Sequence, residues 1–285
     1  MKNKTPEYID VHAHVNFAAY EEDRSEVVER ALANNTWMIN VGTKFDTSES
    51  AVVLAEQYEE GVYAIVGLHP IHTSASFHNT DEIGEEGKPF NSHGEVFDIE
   101  KFEKLVAHPK VVGVGECGLD FFRIEGDKDD YIENQTKAFE AQIDLAVKYN
   151  KPLMIHCRDA YPEVLAILHT KKKEHGDALR GNFHFFAGTL EQAQEILDLG
   201  FTMSFTGVIT FAKDYEALVR FVPLEKMFSE TDCPYVTPAP HRGKRNEPAY
   251  VSEVAQKIAE IKGEEPQKVA AQLVQNTIDF FGIGS

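Results

Sequence analysis

The chain has 285 residues, enough for one large barrel or two modest domains, and its 42% hydrophobic and 26% charged content is ordinary for a globular protein. The opening MKNKTPEYID carries no apolar signal-peptide pattern and no run is long enough to span a membrane, so we expect a cytoplasmic protein without membrane contact. A formal net charge of -19 argues against a globally basic nucleic-acid-binding surface, although metal ions and a few basic residues can make one mouth locally positive.

Short apolar runs alternate with helical patterns along the whole chain. Most runs are almost continuously apolar, as expected for strands that are covered on both faces. The predicted strands are residues 8–12, 37–42, 62–67, 111–116, 152–157, 181–186, 201–205 and 226–231. Thr189 and Gly200 are typical of a helix start and a helix stop, and two helical patterns close the chain.

Eight β-then-α units in series favour an α/β fold of the (β/α)8 TIM-barrel type, with an open doubly wound sheet as the alternative. Because no composition shift marks a linker, we predict a single barrel domain over residues 1–285. An insertion at about residues 73–96, rich in Gly, Asn, Ser and acidic residues, follows the third strand. That position predicts a loop over the barrel mouth, acting as a lid or as variable decoration.

Six residues of metal-binding types stand where the apolar runs end. They are His12, His14, Glu116, His156, His184 and Asp232. In a (β/α)8 barrel the carboxyl ends of the strands converge on one mouth, where the chemistry of that fold is built. The pattern therefore predicts one metal site and a metal-dependent hydrolase.

His12, His14 and Glu116 are each candidate metal ligands for a physical reason. His12 and His14 are two residues apart, which places both on one face of a strand, and Asp10 on the same face can orient a histidine. Glu116 ends a run of Val and Gly, where an unpaired buried carboxylate is costly. A metal ion or an arginine must compensate it, and its two oxygens can bridge two ions.

His156, His184 and Asp232 are the remaining candidate ligands at the barrel mouth. His156 and His184 close the fifth and sixth predicted strands, and an inward His184 would leave Phe183 and Phe185 facing the helices. At Asp232, a carboxylate can ligate an ion and accept a proton from the attacking water, whose pKa a metal lowers. Such ligation suits Zn, Mn, Fe or Mg, among which the sequence does not choose.

Three cysteines, Cys117, Cys157 and Cys233, each follow a predicted ligand by one residue. An odd count gives no disulfide framework. Because neighbours on a strand point to opposite faces, we expect packed thiols on the helix side. Thiolate ligation or nucleophilic catalysis is the alternative.

A basic loop at residues 241–248, HRGKRNEP, follows Asp232 on the mouth side. Its Arg242, Lys244 and Arg245 are the clearest concentration of positive charge in an acidic chain, so we expect phosphate recognition there, with a solvated turn as the alternative. His69 in GLHPIH is a candidate contact to substrate or leaving group, and Arg158 is a second candidate anion contact.

Taken together, the segments DVHAH, GLHPIH, VGVGECGLDFF, PLMIHCRDAYPEVLAIL, HFFAGTLEQAQEILDLGFTMSFTG, ETDCPY and RGKRNEPAYV resemble the TatD family of metal-dependent deoxyribonucleases, a branch of the amidohydrolase-like barrels. The resemblance covers essentially the whole chain. It implies two divalent ions (Mg, Mn or Zn), with His12, His14 and Asp232 on one, His156 and His184 on the other, and Glu116 between them. It also implies hydrolysis of DNA from a 3′ end, with residues 242–248, including Asn246, near the phosphate and Asp232 helping to activate water.

The chain departs from the family pattern in three places around the mouth. The family often continues its first motif as H-x-H-L-D, whereas this chain has Val15, Asn16 and Phe17 after His14. Ile71 shifts the second histidine of the third-strand motif to His72, and the 73–96 insertion is longer than usual. These changes bear on the substrate more than on the reaction class.

Three functions compete. The first is a metal-dependent phosphodiesterase, a 3′–5′ exodeoxyribonuclease whose substrate is single-stranded DNA or DNA 3′ ends, with no obligate protein partner. The second keeps the barrel and the metals but cleaves a small phosphoester, lactone or amide, since one fold hosts many chemistries. The third is a non-enzymatic metal-binding or partner protein, against which the complete set of six ligand types counts.

Overall fold

The computed structural model describes residues 5–78, 90–124 and 127–284. Within that part of the chain, eight parallel strands form one sheet in the order β1-β2-β3-β6-β7-β8-β9-β10. These strands are β1 (Tyr8–Ala13), β2 (Thr36–Val41), β3 (Val62–Val66), β6 (Val111–Asp120), β7 (Leu153–Arg158), β8 (Gly181–Phe183), β9 (Thr202–Phe205) and β10 (Met227–Ser229). The predicted barrel is confirmed, and the open sheet is excluded because the two edge strands meet.

The seam between β10 and β1 lies just beyond the end of β10. The Asp232 N–H donates to the His12 carbonyl at 2.9 Å, and the His14 N–H donates to the Cys233 carbonyl at 2.9 Å. Ala13 and Cys233 form an isolated parallel bridge. The barrel is thus nearly closed, and its closing hydrogen bonds involve residues of the predicted metal site.

The helices of the described residues lie between consecutive strands and after the last one. They are α1 (Arg24–Ala33), α2 (Phe45–Glu56), α3 (Ile99–Val106), α4 (Lys128–Lys148), α5 (Tyr161–His175), α6 (Leu190–Asp198), α7 (Glu216–Phe221), α8 (Val251–Lys262) and α9 (Pro266–Phe281). The predicted limits of α6 are confirmed. The Thr189 side chain accepts from the Gln192 N–H at the start, and Gly200 follows the end with φ +83°.

The insertion after β3 begins and ends as an antiparallel ribbon of β4 (Ala75–His78) and β5 (Phe90–His93). Residues 79–89, the middle of the predicted 73–96 insertion, lie outside the described residues. Across the described ranges, no helix is both long and apolar enough to cross a membrane.

Strand limits differ from the prediction where the mouth begins. β8 ends at Phe183 and β10 at Ser229, each shorter than predicted, whereas β6 continues through Glu116 to Asp120. The expectation that Phe183 faces the helices is confirmed, since its ring packs against Tyr161 of α5, as does that of Phe186. The chain turns at Phe185, with φ +44°, so strict strand alternation does not extend to that residue.

Candidate metal centre

Glu116 lies at the centre of a buried cluster of imidazoles and carboxylates and is itself 4% exposed. Its Oε1 is 2.8 Å from His184 Nε2 and 3.0 Å from His156 Nδ1. Its Oε2 is 3.3 Å from His12 Nε2 and 3.9 Å from His14 Nε2. The two oxygens therefore face different pairs of histidines, which is the arrangement of a carboxylate that bridges two cations.

The β1 side of the cluster reaches across the barrel seam to Asp232. The Asp232 Oδ1 is 3.4 Å from His14 Nε2 and 3.9 Å from His12 Nε2, and the two Nε2 atoms are 3.1 Å apart. Asp232 has φ +55°, a left-handed conformation that aspartate tolerates better than most residues. Ligand atoms of these three residues lie within 4.8 Å of one another, so they could hold one ion.

Hydrogen bonds on the far ring nitrogens orient two of the histidines. His14 Nδ1 is 2.8 Å from the Val41 carbonyl, which can only accept, so this nitrogen carries the proton and Nε2 presents its lone pair to the centre. His156 Nε2 is 2.9 Å from Asp120 Oδ2, which likewise leaves Nδ1 for the centre. Both rings are thus held as metal ligands are usually held.

The His69 ring is the opposite tautomer to the His14 ring. Its Nδ1 accepts from the Ile71 N–H at 3.2 Å, so the neutral ring carries its proton on Nε2, 3.2 Å from Glu116 Oε1. Burial lowers the pKa of His69 to about 4, which keeps the ring neutral. Although its Nε2 lies close enough to Glu116 and His156 to complete a ligand group, a protonated nitrogen cannot bind a metal. His69 is a hydrogen-bond donor at the edge of the cluster.

The charges in the cluster favour cations. Burial raises the pKa of Glu116, but His184, His69 and His12 outweigh it and hold that pKa well below its usual range. Burial lowers the pKa of His184, but the Glu116 carboxylate raises it well above the ordinary value. Without a metal, protons on imidazoles compensate the carboxylates, and divalent ions that accept nitrogen and oxygen ligands can replace those protons. The donor set therefore fits a metal.

Asp120 and Glu230, which the sequence pattern did not single out, contact two of the candidate ligands. Asp120 lies four residues after Glu116 on the same strand, and this even spacing was the available signal. Glu230 is fully buried; its Oε2 accepts from Ser204 Oγ at 2.5 Å, and its Oε1 lies 3.6 Å from His184 Nδ1. Glu230 lies two residues before Asp232, and this even spacing likewise predicts that both side chains lie on the same face.

Asp10 has a different role from the one predicted. Its carboxylate accepts from Thr231 Oγ1 at 2.5 Å, from the Thr231 N–H at 2.9 Å and from the His12 N–H at 3.2 Å. It contacts the backbone of His12 rather than the ring. Asp10 therefore joins β1 to the segment that carries Asp232.

The three thiols are packed as predicted. Cys117 and Cys233 are buried, and Cys157 is half-buried against the core. Burial raises the pKa of Cys233 to about 12 and raises the pKa of the other two thiols as well. All three therefore stay protonated at neutral pH.

The predicted substrate contacts fall into two groups. Arg158 and Arg242 lie against exposed phenylalanine rings, and Lys244 is exposed on the loop. Arg245 donates to Asp23 Oδ2 at 2.5 Å and to the Ala19 carbonyl at 2.8 Å. The Asn246 amide donates to two backbone carbonyls. Arg245 and Asn246 thus make their hydrogen bonds to other residues of the chain, whereas Arg158, Arg242 and Lys244 lie at the surface.

Comparison with known proteins gives a consistent result. The family described as TatD related DNase matches residues 9–282. The chain is 37% identical over 277 residues to an uncharacterized metal-dependent hydrolase, YabD, of Bacillus subtilis, covering 96% of this chain and 98% of that protein. It is 32% identical over 283 residues to the protein named 3'-5' ssDNA/RNA exonuclease TatD of Citrobacter koseri, with coverage of 96% and 98%.

A solved structure shares the architecture. YjjV, a TatD homolog from Escherichia coli K12, superposes with a TM-score of 0.80 at 26% sequence identity. The match covers 98% of this chain and 100% of that one. The resemblance therefore extends over the barrel and its helices.

Proposed function

The chain belongs to the TatD-related DNase family of metal-dependent hydrolases, and from that premise we propose that it is a 3′–5′ exonuclease that removes nucleotides from single-stranded DNA. The observation that carries the proposal is Glu116, whose two oxygens face two different pairs of imidazoles. A site for two neighbouring cations suits phosphodiester hydrolysis, in which attacking and leaving oxygens both carry charge. The relative named as an ssDNA/RNA exonuclease supports the substrate class.

We assign the ligands in two sets. His12, His14 and Asp232 would hold one divalent ion, and His156 and His184 the other, with Glu116 shared between them. When bound, the ions supply Lewis acidity and lower the pKa of water. The three unpaired thiols support a cytoplasmic location, since reducing compartments keep cysteines free.

The chain's own residues provide the proton acceptor and the substrate contacts. Burial raises the pKa of Asp232, but the His14 hydrogen bond and the neighbouring rings lower it below its usual value, so the carboxylate is ionised and can accept the proton of the attacking water. The water oxygen bonds to phosphorus, the bond to the 3′-oxygen breaks, and that oxygen takes a proton from solvent. His69 Nε2–H, which faces Glu116 Oε1 at 3.2 Å in the free protein, would donate to the phosphate once the Glu116 oxygens hold the ions. Arg158, Arg242 and Lys244 attract the phosphates of the strand by charge.

The proposal is tested by nucleotide release from a 5′-labelled single strand, with Mg or Mn and with a chelator control. We expect the 5′-labelled strand to shorten one nucleotide at a time, as removal from the 3′ end requires. Asp232→Asn should lower kcat by about 10³-fold, since a positioned general base is worth about 10²–10⁴-fold. The matched control is Asp144→Asn, the same change on the outer helix α4, where Asp144 pairs with Lys171.

Immediate release of the labelled nucleotide would contradict the direction of cleavage. No release by protein that demonstrably holds metal would contradict the nuclease. The alternative substrates would then be small phosphoesters, lactones and amides, hydrolysed at the same metal centre.

A further inference from the structure

Two exposed phenylalanines at the barrel mouth each lie under an arginine. Phe122 is 48% exposed, and the guanidinium carbon of Arg158 is 3.5 Å from the centre of its ring. Phe211 is 44% exposed, with the guanidinium carbon of Arg242 at 4.3 Å. Each pair presents a flat aromatic and guanidinium surface to solvent.

The first pair is attached to the candidate metal centre. The Phe122 N–H donates to Asp120 Oδ1 at 3.0 Å, and the other oxygen of the same carboxylate is 2.9 Å from His156 Nε2. Arg158 follows His156 by two residues at the end of β7. One carboxylate therefore positions both a ligand and the aromatic ring.

The second pair lies on another side of the same mouth. Phe211 follows β9 after the turn Gly207–Thr210, and Arg242 belongs to the loop after β10. The Ala239 N–H donates to Thr210 Oγ1 at 2.8 Å, which joins the two loops. In the barrel, β8, which leads to His184, lies between β7 and β9. The two pairs thus flank the strand that supplies a central ligand.

A third arginine shows what a purely structural stack looks like in this chain. Arg245 lies 4.3 Å from the ring centre of Tyr20, which is fully buried, and its guanidinium pairs with Asp23. Among the described residues, neither Arg158 nor Arg242 has a carboxylate partner. Both guanidinium groups keep their charge available to an anion, and both rings stay open to solvent.

We propose that the Phe122–Arg158 and Phe211–Arg242 pairs are stacking platforms for the bases of an unpaired nucleic-acid strand on either side of the scissile phosphate. The inference rests on the proposed nuclease function and deepens it. Every nucleobase has a flat face that stacks on aromatic and guanidinium groups, while the guanidinium N–H groups bind the phosphates between bases. Bases in a duplex are already stacked and paired, so the platforms select single strands.

The test compares binding of two strands with equal numbers of phosphates. The probes are a 5′-fluorescein oligothymidylate and an abasic strand of the same length, both with phosphorothioate 3′ linkages that slow cleavage. Affinity for the metal-loaded protein is measured by fluorescence anisotropy. We expect Phe122→Ala and Phe211→Ala each to weaken binding of oligothymidylate about tenfold and to leave the abasic strand nearly unchanged. Tryptophan at either position should retain the affinity.

Phe221→Ala is the matched control. Phe221 is 39% exposed but ends helix α7, which places it at the opposite face of the barrel. The inference is overturned if the wild-type protein binds both strands equally, or if the alanine variants weaken both strands alike. Base-dependent binding without nucleotide release would support the platforms and overturn the nuclease instead.

Discussion

Single hydrogen bonds decide which ring nitrogen His14, His156 and His69 each turn toward the centre. The Val41 carbonyl and the Asp120 carboxylate accept from His14 Nδ1 and His156 Nε2, and so leave the opposite nitrogens free as ligands. The Ile71 N–H does the reverse to His69. Residues of one type, only a few ångströms apart, thereby acquire different chemistry.

Asn16 shows how the departure from the H-x-H-L-D pattern is accommodated. Its amide donates to the Thr47 carbonyl at 2.9 Å and to the Val41 carbonyl at 3.3 Å, and the side chain is buried. An ionised carboxylate cannot donate to either carbonyl. The asparagine is therefore required by its own surroundings.

We predict that Asn16→Asp lowers the free energy of unfolding by about 2 kcal/mol, because a buried carboxylate would face two carbonyl oxygens without a donor. Chemical denaturation of the metal-free protein measures the effect. Asn34→Asp is the control: Asn34 also donates to a backbone carbonyl, of Arg30, but at an exposed site where water can substitute. Equal losses in the two variants would contradict the argument.

At the scale of elements, two of the candidate ligands, His12 and Glu116, occupy irregular stretches of their strands. The register of β1 against β2 shifts between Asp10 and Ala13, around His12. The register of β6 against β7 shifts between Val114 and Cys117, around Glu116. Such irregularities turn a side chain away from strict alternation and are common beside active sites. His12 and His14 therefore lie in one cluster, as strand periodicity predicts, although β1 departs there from the regular geometry that the prediction assumes.

Gly118 is needed where β6 continues past Glu116 toward Asp120. It has φ +138°, and a Cβ there would lie 2.0 Å from the His156 carbonyl oxygen on β7. We predict that Gly118→Ala lowers stability by about 3 kcal/mol or more, from backbone strain and displaced strands together. Because His156 moves with β7, metal affinity measured by isothermal titration should fall as well.

Gly176→Ala separates these two causes. Gly176 also has positive φ, at +57°, but a Cβ there would meet nothing within 4 Å. It should cost about 1–2 kcal/mol, from backbone strain alone, and leave metal binding unchanged. A Gly118→Ala variant no worse than this control would rule out the clash between β6 and β7.

For the molecule as a whole, the candidate metal centre coincides with the seam of the barrel. His12 and His14 belong to the β1 side and Asp232 follows β10, and few backbone hydrogen bonds join these two edges. An ion held by these side chains would tie the first strand of the chain to the last. We therefore expect metal binding and barrel closure to be coupled.

We predict that chelation lowers Tm and speeds amide hydrogen exchange most at the seam. An ion present at about 100 times its Kd adds about 2.7 kcal/mol, which corresponds to about a hundredfold in protection. Exchange in peptides covering residues 8–16 and 227–236 should accelerate more than in β7, which is paired on both sides. Uniform acceleration around the barrel would contradict the coupling.

Periodicity and residue type were enough to predict the barrel and its six candidate ligands. Continuous apolar runs require strands covered on both faces, and parallel strands in a barrel bring their carboxyl ends together whatever their local details. The extent of the domain as one unit over residues 1–285, and the ligand roles themselves, stay predictions.

The partners of individual side chains could not be obtained in this way. Arg245 pairs with Asp23 across 222 residues of sequence, and Glu230 reaches Ser204 and His184 on neighbouring parts of the barrel. Strand periodicity defines a face, but it does not define the register shifts around His12 and Glu116 or the nitrogen that a histidine presents. Those features depend on contacts between segments distant in sequence, so the folded chain alone determines them.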